Sequence, residues 1–230
     1  MTRRSVWLAG IAMAVALVGV SAAWAQDVDP AKAAARAVER TSPEQVDPNE
    51  IKGEDWVFNF QFDQPEPIIV TTPGGEKEVY WYLVYTVTNP AKEEKNYVPT
   101  FTLFGDTAAV RRAGVFPTVF DAILKARKVR FLENAVKMMG KVFPGEDNAR
   151  TGVAIFAPLD RETNQFTIFV EGLSGQFIER PNLKAKPDAP PEEKVVRLRK
   201  TLALTYKLPG DKWWLNQDQP IFVSKKWTWR

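Results

Sequence analysis

The sequence predicts a mainly β protein, an antiparallel β-sandwich of about eight or nine strands with one helical insertion. Three observations predict it. Apolar residues alternate with period two in short runs from Trp56 to Trp229. Turn signals such as Pro73-Gly74-Gly75, Gly172-Leu173-Ser174-Gly175 and Pro209-Gly210-Asp211 separate those runs. A helical period occurs only once in the body of the chain, after Pro117.

The order of elements begins with an export signal over residues 1–25. Arg3 and Arg4 charge the N-terminus, Val6 to Val20 is apolar and uncharged, and Ala23-Trp24-Ala25 supplies the small residues that place cleavage before Gln26. The uncharged stretch from Ser5 to Ala25 also has the length of an uncleaved anchor across a hydrocarbon core of roughly 30 Å. Thr2 to Leu8 resembles a twin-arginine export motif, and two arginines equally form an ordinary charged n-region. The expected location is exported: periplasmic, cell-surface or secreted, with no integral membrane span after cleavage.

Residues 26–53 read as a flexible or helical tether, with Asp29 capping and Pro30 opening an alanine-rich stretch from Ala31 to Arg40. Residues 54–230 form the sandwich domain. Trp56, Phe58, Phe60 and Phe62 share one side of a first strand, and Pro67 to Thr72 forms a second. From Glu78 to Asn89 both faces are apolar or amphipathic, as expected of a central strand. Tyr97 to Phe104 and Val110 to Phe116 follow. The helical insertion spans about 117–142, with Val129, Leu132, Val136 and Met139 on an apolar arc and Arg127, Arg130, Lys137 and Lys141 on a basic face. Such a face suits a membrane surface or a partner, and equally a solvated helix packed on a sheet. Val153 to Ala157 and Phe166 to Val170 read as a hairpin around Asp160-Arg161-Glu162-Thr163-Asn164. Gln176 to Arg180, Val196 to Tyr206 with a basic outer face, and a last strand carrying Ile221, Val223, Trp227 and Trp229 complete the set.

Within this pattern, Tyr85-Thr86-Val87-Thr88-Asn89-Pro90 resembles the strand end common in bacterial immunoglobulin-like modules. With the export signal, the chain is similar to exported bacterial proteins that carry one immunoglobulin-like β-sandwich. That resemblance implies the sandwich fold and brings no active site with it.

Composition narrows the chemistry. The chain has no histidine and no cysteine, which excludes disulfides, cysteine nucleophiles, Ser-His-Asp machinery and the usual zinc, iron–sulfur and c-type haem ligands. No cofactor and no metal are expected. At about 205 residues after cleavage, the domain is long enough to hold itself by its core, burying roughly 70% of its unfolded surface. Removing Arg3 and Arg4 from the 31 basic residues leaves 29 against 28 acidic, too small an excess for nucleic acid despite a sequence pI of 9.0.

Asp160 to Glu171 has the oxygen spacing of a calcium loop but carries Gln165 where the glycine belongs, and reads instead as a polar hairpin turn. Glu146, Asp147, Asp160 and Glu162 are the carboxylates available to a glycoside hydrolase. Trp213 and Trp214 are adjacent, so on an extended backbone one of them is exposed, and they are the candidate ligand-binding residues of a carbohydrate-binding module. Trp227 and Trp229 are expected in the core. The function expected overall is a non-catalytic exported module that binds a protein or cell-envelope component, with envelope polysaccharide as the alternative partner.

Overall fold

The computed structural model describes residues 46–72, 74–128, 131–209 and 219–230. The predicted export signal, most of the predicted tether, Arg130, and the candidate residues Trp213 and Trp214 lie outside them. Among the described residues the chain is mainly antiparallel β, with one α-helix and two sheets packed as a sandwich. No helix among the described residues is long and apolar enough to cross a membrane.

The large sheet runs in the order β1 (Lys52–Val57), β11 (Ser174–Pro181), β12 (Val195–Lys207), β10 (Gln165–Glu171), β6 (Thr100–Gly105) and β7 (Val110–Arg112), with β13 (Ile221–Trp229) also paired to β12. The small sheet runs β2 (Asn59–Phe62), β4 (Lys77–Asn89), β3 (Glu66–Thr71), with β9 (Gly145–Phe156) paired to β4. A ribbon of β5 (Lys95–Tyr97) and β8 (Gly140–Val142) pairs separately, and its Tyr97 and Val142 reach into the core between the sheets. The two sheets bury one core between them. Leu103, Phe166, Ile168, Leu202, Leu204 and Tyr206 from the large sheet meet Phe60, Trp81, Leu83, Tyr85, Val87 and Phe156 from the small one.

β4 is buried on both faces, as its sequence predicts. Trp81, Leu83 and Tyr85 face the sandwich core, while Tyr82 and Val84 join Val153 and Ile155 in a second core beneath α1 (Pro117–Arg127). Eleven residues are too few for a stable isolated helix, since fewer than about 12 to 15 are marginal in water. Burial of Val119 and Ile123, worth roughly 1.5 to 3 kcal/mol each, holds it on the sheet instead.

The helix is shorter than the predicted insertion, and its basic face does not form. Lys128 adopts a left-handed conformation with φ 52° and donates its N–H to Leu124 O at 3.1 Å, which ends the helix. Beyond it, strand edges take the backbone groups that a helix would have paired internally. Glu133 donates its N–H to Thr151 O at 2.9 Å and accepts from Val153 N at 3.0 Å, while Lys141 lies on β8 opposite Asn96. The Arg150 guanidinium secures this segment, pairing with Glu133 at 2.5 Å and donating to the Lys137 carbonyl. Sequence periodicity could not show that competition.

Two strand expectations also change. The run from Trp56 to Phe62 is two strands, because the chain crosses from the large sheet to the small one at Phe58, whose N–H donates to Leu173 O at 2.8 Å. The expected hairpin around Asp160 is a crossing as well, since β9 belongs to the small sheet and β10 to the large. Leu159 is buried in the link, and the Asp106 carboxylate accepts from the N–H groups of Asn164 and Gln165 at 3.1 Å each. These contacts fix a crossover where alternation alone suggested a turn.

Candidate functional site: the free edge of the large sheet

β13 is rich in β-branched and aromatic residues and pairs antiparallel with β12 from Lys207↔Ile221 to Lys200↔Trp229. Among the described strands it pairs with β12 alone, and along its second edge Ile221 to Lys226 are exposed or half-buried. The pairing shifts register between Thr205 and Tyr206, where Val223 is the extra residue on β13. That bulge explains why the predicted parity fails. Trp227 packs on the core and Trp229 is buried, as expected, yet Ile221 and Val223, which share their parity in sequence, are each 53% exposed.

Phe222 is 45% exposed at the mouth of the sandwich, with its ring centroid 5.6 Å from that of Tyr206 and 6.3 Å from that of Phe62 at the end of β2. The Gln64 amide donates to the Pro220 carbonyl beside it. Three consecutive exposed apolar residues on a free strand edge are a liability that soluble proteins normally blunt. Here the strand keeps them.

The charges carried by β12 and β13 themselves are of one sign. β12 carries Arg197, Arg199, Lys200 and Lys207, β13 carries Lys225 and Lys226, and neither strand contains an acidic residue. Arg197 pairs with Glu179 at 3.2 Å, Lys200 donates to Gln176 at 2.7 Å, and the Lys225 ammonium lies 5.4 Å from the centre of the Phe62 ring. Arg199, Lys207 and Lys226 have no acidic partner among the described residues. A chain almost neutral as a whole therefore concentrates positive charge on two adjacent strands.

The described residues expected to form a basic helix face, Arg127, Lys137 and Lys141, are dispersed. Arg127 turns inward at the end of α1, 3.0 Å from Glu66 as an ion pair without hydrogen-bond alignment, and its Nε donates to the Tyr82 hydroxyl at 3.1 Å. Tyr82 donates in turn to Glu66 at 2.6 Å; burial, and then that bond, push its phenol up to about 12. This cluster clamps the helix to the sheet. Lys137 lies exposed in a turn, and Lys141 pairs with Glu94 at 2.5 Å on the ribbon.

The remaining candidates do less. Asp160 pairs with Arg111 at 3.3 Å and accepts from Thr107 at 3.1 Å, while Glu171 lies at the far end of β10, roughly 20 Å along the strand from its start. No group of acidic residues able to hold a metal ion occurs among the described residues. A cavity of about 100 Å³ beside α1 is lined mainly by Val115, Phe116, Phe120, Val153 and Ile155, with Asp121 and Asn134 at its polar side. It is far below the roughly 300 Å³ at which ligand pockets begin.

The edge residues Ile221, Phe222, Val223, Lys225 and Lys226 were not among the sequence candidates. Their signal is present in the sequence: three apolar residues in a row cannot all face one core from a strand, and the two last strands hold no acid. No protein-family model, curated protein or solved structure matches this chain.

Proposed function

We propose that this chain is a non-catalytic exported module that binds another protein, and that the free edge of β13 is its contact surface. The observation that carries the reading is the run Ile221-Phe222-Val223, held exposed by a bulge on a strand with no second neighbour among the described strands. Exposed apolar residues on an unpaired edge are what strand addition uses, with backbone hydrogen bonds giving affinity and side chains giving selectivity. The export signal at residues 1–25 supports an extracytoplasmic partner, and the absence of histidine and cysteine supports a role without catalysis. A relation to exported immunoglobulin-like modules belongs to the same proposal. It draws support from Asn89, which closes β4 by donating to Glu93 O at 2.8 Å and Val142 O at 2.9 Å while accepting from Ala91 N at 3.0 Å.

The test is affinity capture from the native envelope with the tagged full chain, run beside an Ile221→Ser, Val223→Ser variant. Partners retained by the parent and lost from the variant at equal folded concentration are expected. Equal retention by both would place the contact elsewhere, and turnover on a hydrolase panel abolished by replacing one carboxylate would make the chain an enzyme.

A further inference from the structure

Building on that reading, we infer that the partner presents an extended acidic segment, which adds to β13 as a further strand with carboxylates against Lys225 and Lys226. The edge is open along its length from Ile221 to Lys226, since those residues are exposed or half-buried and none has a strand beyond it among the described residues. The charge selects among occupants. Lys225 and Lys226 on β13, with Lys200 and Lys207 on the stretch of β12 it pairs with and no acidic side chain on either strand, favour an anionic segment. They disfavour a second copy of this chain, which would bring an equally basic edge against this one.

The pleat says more about the segment. Lys225 pairs with Leu204, a core-facing residue, and reaches over the Phe62 ring, whereas Lys226 pairs with Ala203 on the opposite, outer face. A single strand can meet both ammonium groups only with acidic residues at neighbouring positions, one on each face. Ile221 and Val223 lie towards the other end, so apolar residues belong there. The recognised element is thus a short strand with two adjacent acidic residues at one end and apolar residues at the other.

The probe is a fluorescent peptide matched in length to β13, with two adjacent glutamates at one end and valines at the other, titrated against the full chain. A lysine-for-glutamate peptide and a peptide N-methylated at alternate amides are the controls. Binding of the glutamate peptide alone is expected, weakened at least roughly tenfold by Lys225→Glu with Lys226→Glu, with a lesser loss for the Gln pair. Circular dichroism and thermal unfolding establish that these variants fold. Equal binding by the N-methylated peptide, equal binding to the charge-reversed variant, or no binding up to roughly millimolar peptide would overturn the inference. So would a parent chain that sediments as a dimer and becomes monomeric on Ile221→Ser, Val223→Ser substitution. Envelope capture that depends on Ile221 and Val223 but is indifferent to Lys225 and Lys226 would refute the acidic partner while leaving the binding edge in place. Capture indifferent to all four would refute both.

Discussion

Replacing Arg150 by methionine tests why the helix stops at Arg127. The guanidinium of Arg150 holds the segment after α1 against β9, through the Glu133 carboxylate at 2.5 Å, the Lys137 carbonyl and a longer contact to the Met138 carbonyl at 3.4 Å. Methionine keeps most of the stem and removes the charge. The Arg150 and Glu133 side chains retain 23% and 32% of their exposure, so water recovers part of the ion pair and the lower end of the range for charged hydrogen bonds applies. The expected loss is about 2 kcal/mol, or a fall in Tm of about 4 to 8 °C for a domain of this size. Hydrogen exchange read by mass spectrometry should quicken first at the amides of Glu133, Met138 and Val153, whose bonds join the segment to its own turn and to β9. A Tm within about 1 °C of the parent, or faster exchange spread evenly over the molecule, would refute the role given to Arg150.

Other expectations follow from the same geometry. Gly172 has φ +87°, and a Cβ there would stand 2.4 Å from Val98 O, a backbone atom that cannot swing aside; Gly172→Ala should therefore cost about 3 kcal/mol or more in chemical denaturation. All five tyrosines are held above the ordinary value of 10.0: Tyr80 by its hydrogen bond to Glu78, Tyr82 up to about 12 chiefly by burial, and Tyr85, Tyr97 and Tyr206 by burial. A phenol favoured in its neutral form gives stability that is complete below 10.0 and lost as pH rises through the folded value, so for Tyr82 the loss spans 10.0 to about 12. Absorbance at alkaline pH should show phenolate forming together with loss of the β signal in circular dichroism, with Tyr80 at most ahead; two or more tyrosines ionising near 10.0 in a native fold would refute it. Ile221→Asp and Val223→Asp should change stability by less than about 0.5 kcal/mol in chemical denaturation, because both side chains are exposed.

Much of the fold was legible because alternation reports burial directly. β4, β11, β12 and β13 lie where their patterns place them, and β4 is central because both its parities are apolar. What escaped the sequence was which strand pairs with which. Phe58 continues the parity of Trp56 and Phe60 across a change of sheet, and Asp160 to Asn164 looks like a hairpin turn although Asp106, far away in sequence, holds it as a crossover. The helical insertion was overextended for the same reason: its second half carries a helical period, and distant partners in β9 and β5 claim its backbone. The candidate edge was hidden by a bulge, which moves Val223 off the parity of Trp227 without any sign in composition.

The crossing at Phe58 also decides how the sandwich can breathe. At one end of β2 the chain itself joins the sheets, with the Phe58 ring wedged between Trp56 at 5.0 Å and Tyr97 at 5.4 Å. At the other end, roughly 13 Å along the strand, they are held by contacts between side chains at Phe62, Phe222 and Lys225 and by the bond from Gln64 to Pro220. The two layers are also stitched at this end, since the link from β9 to β10 enters the large sheet at Gln165, opposite Lys207 and its partner Ile221. Phe222 and Lys225 fasten the last strand to Phe62 by side chains alone, so a guest strand joining β13 would load those contacts and leave both crossings unchanged.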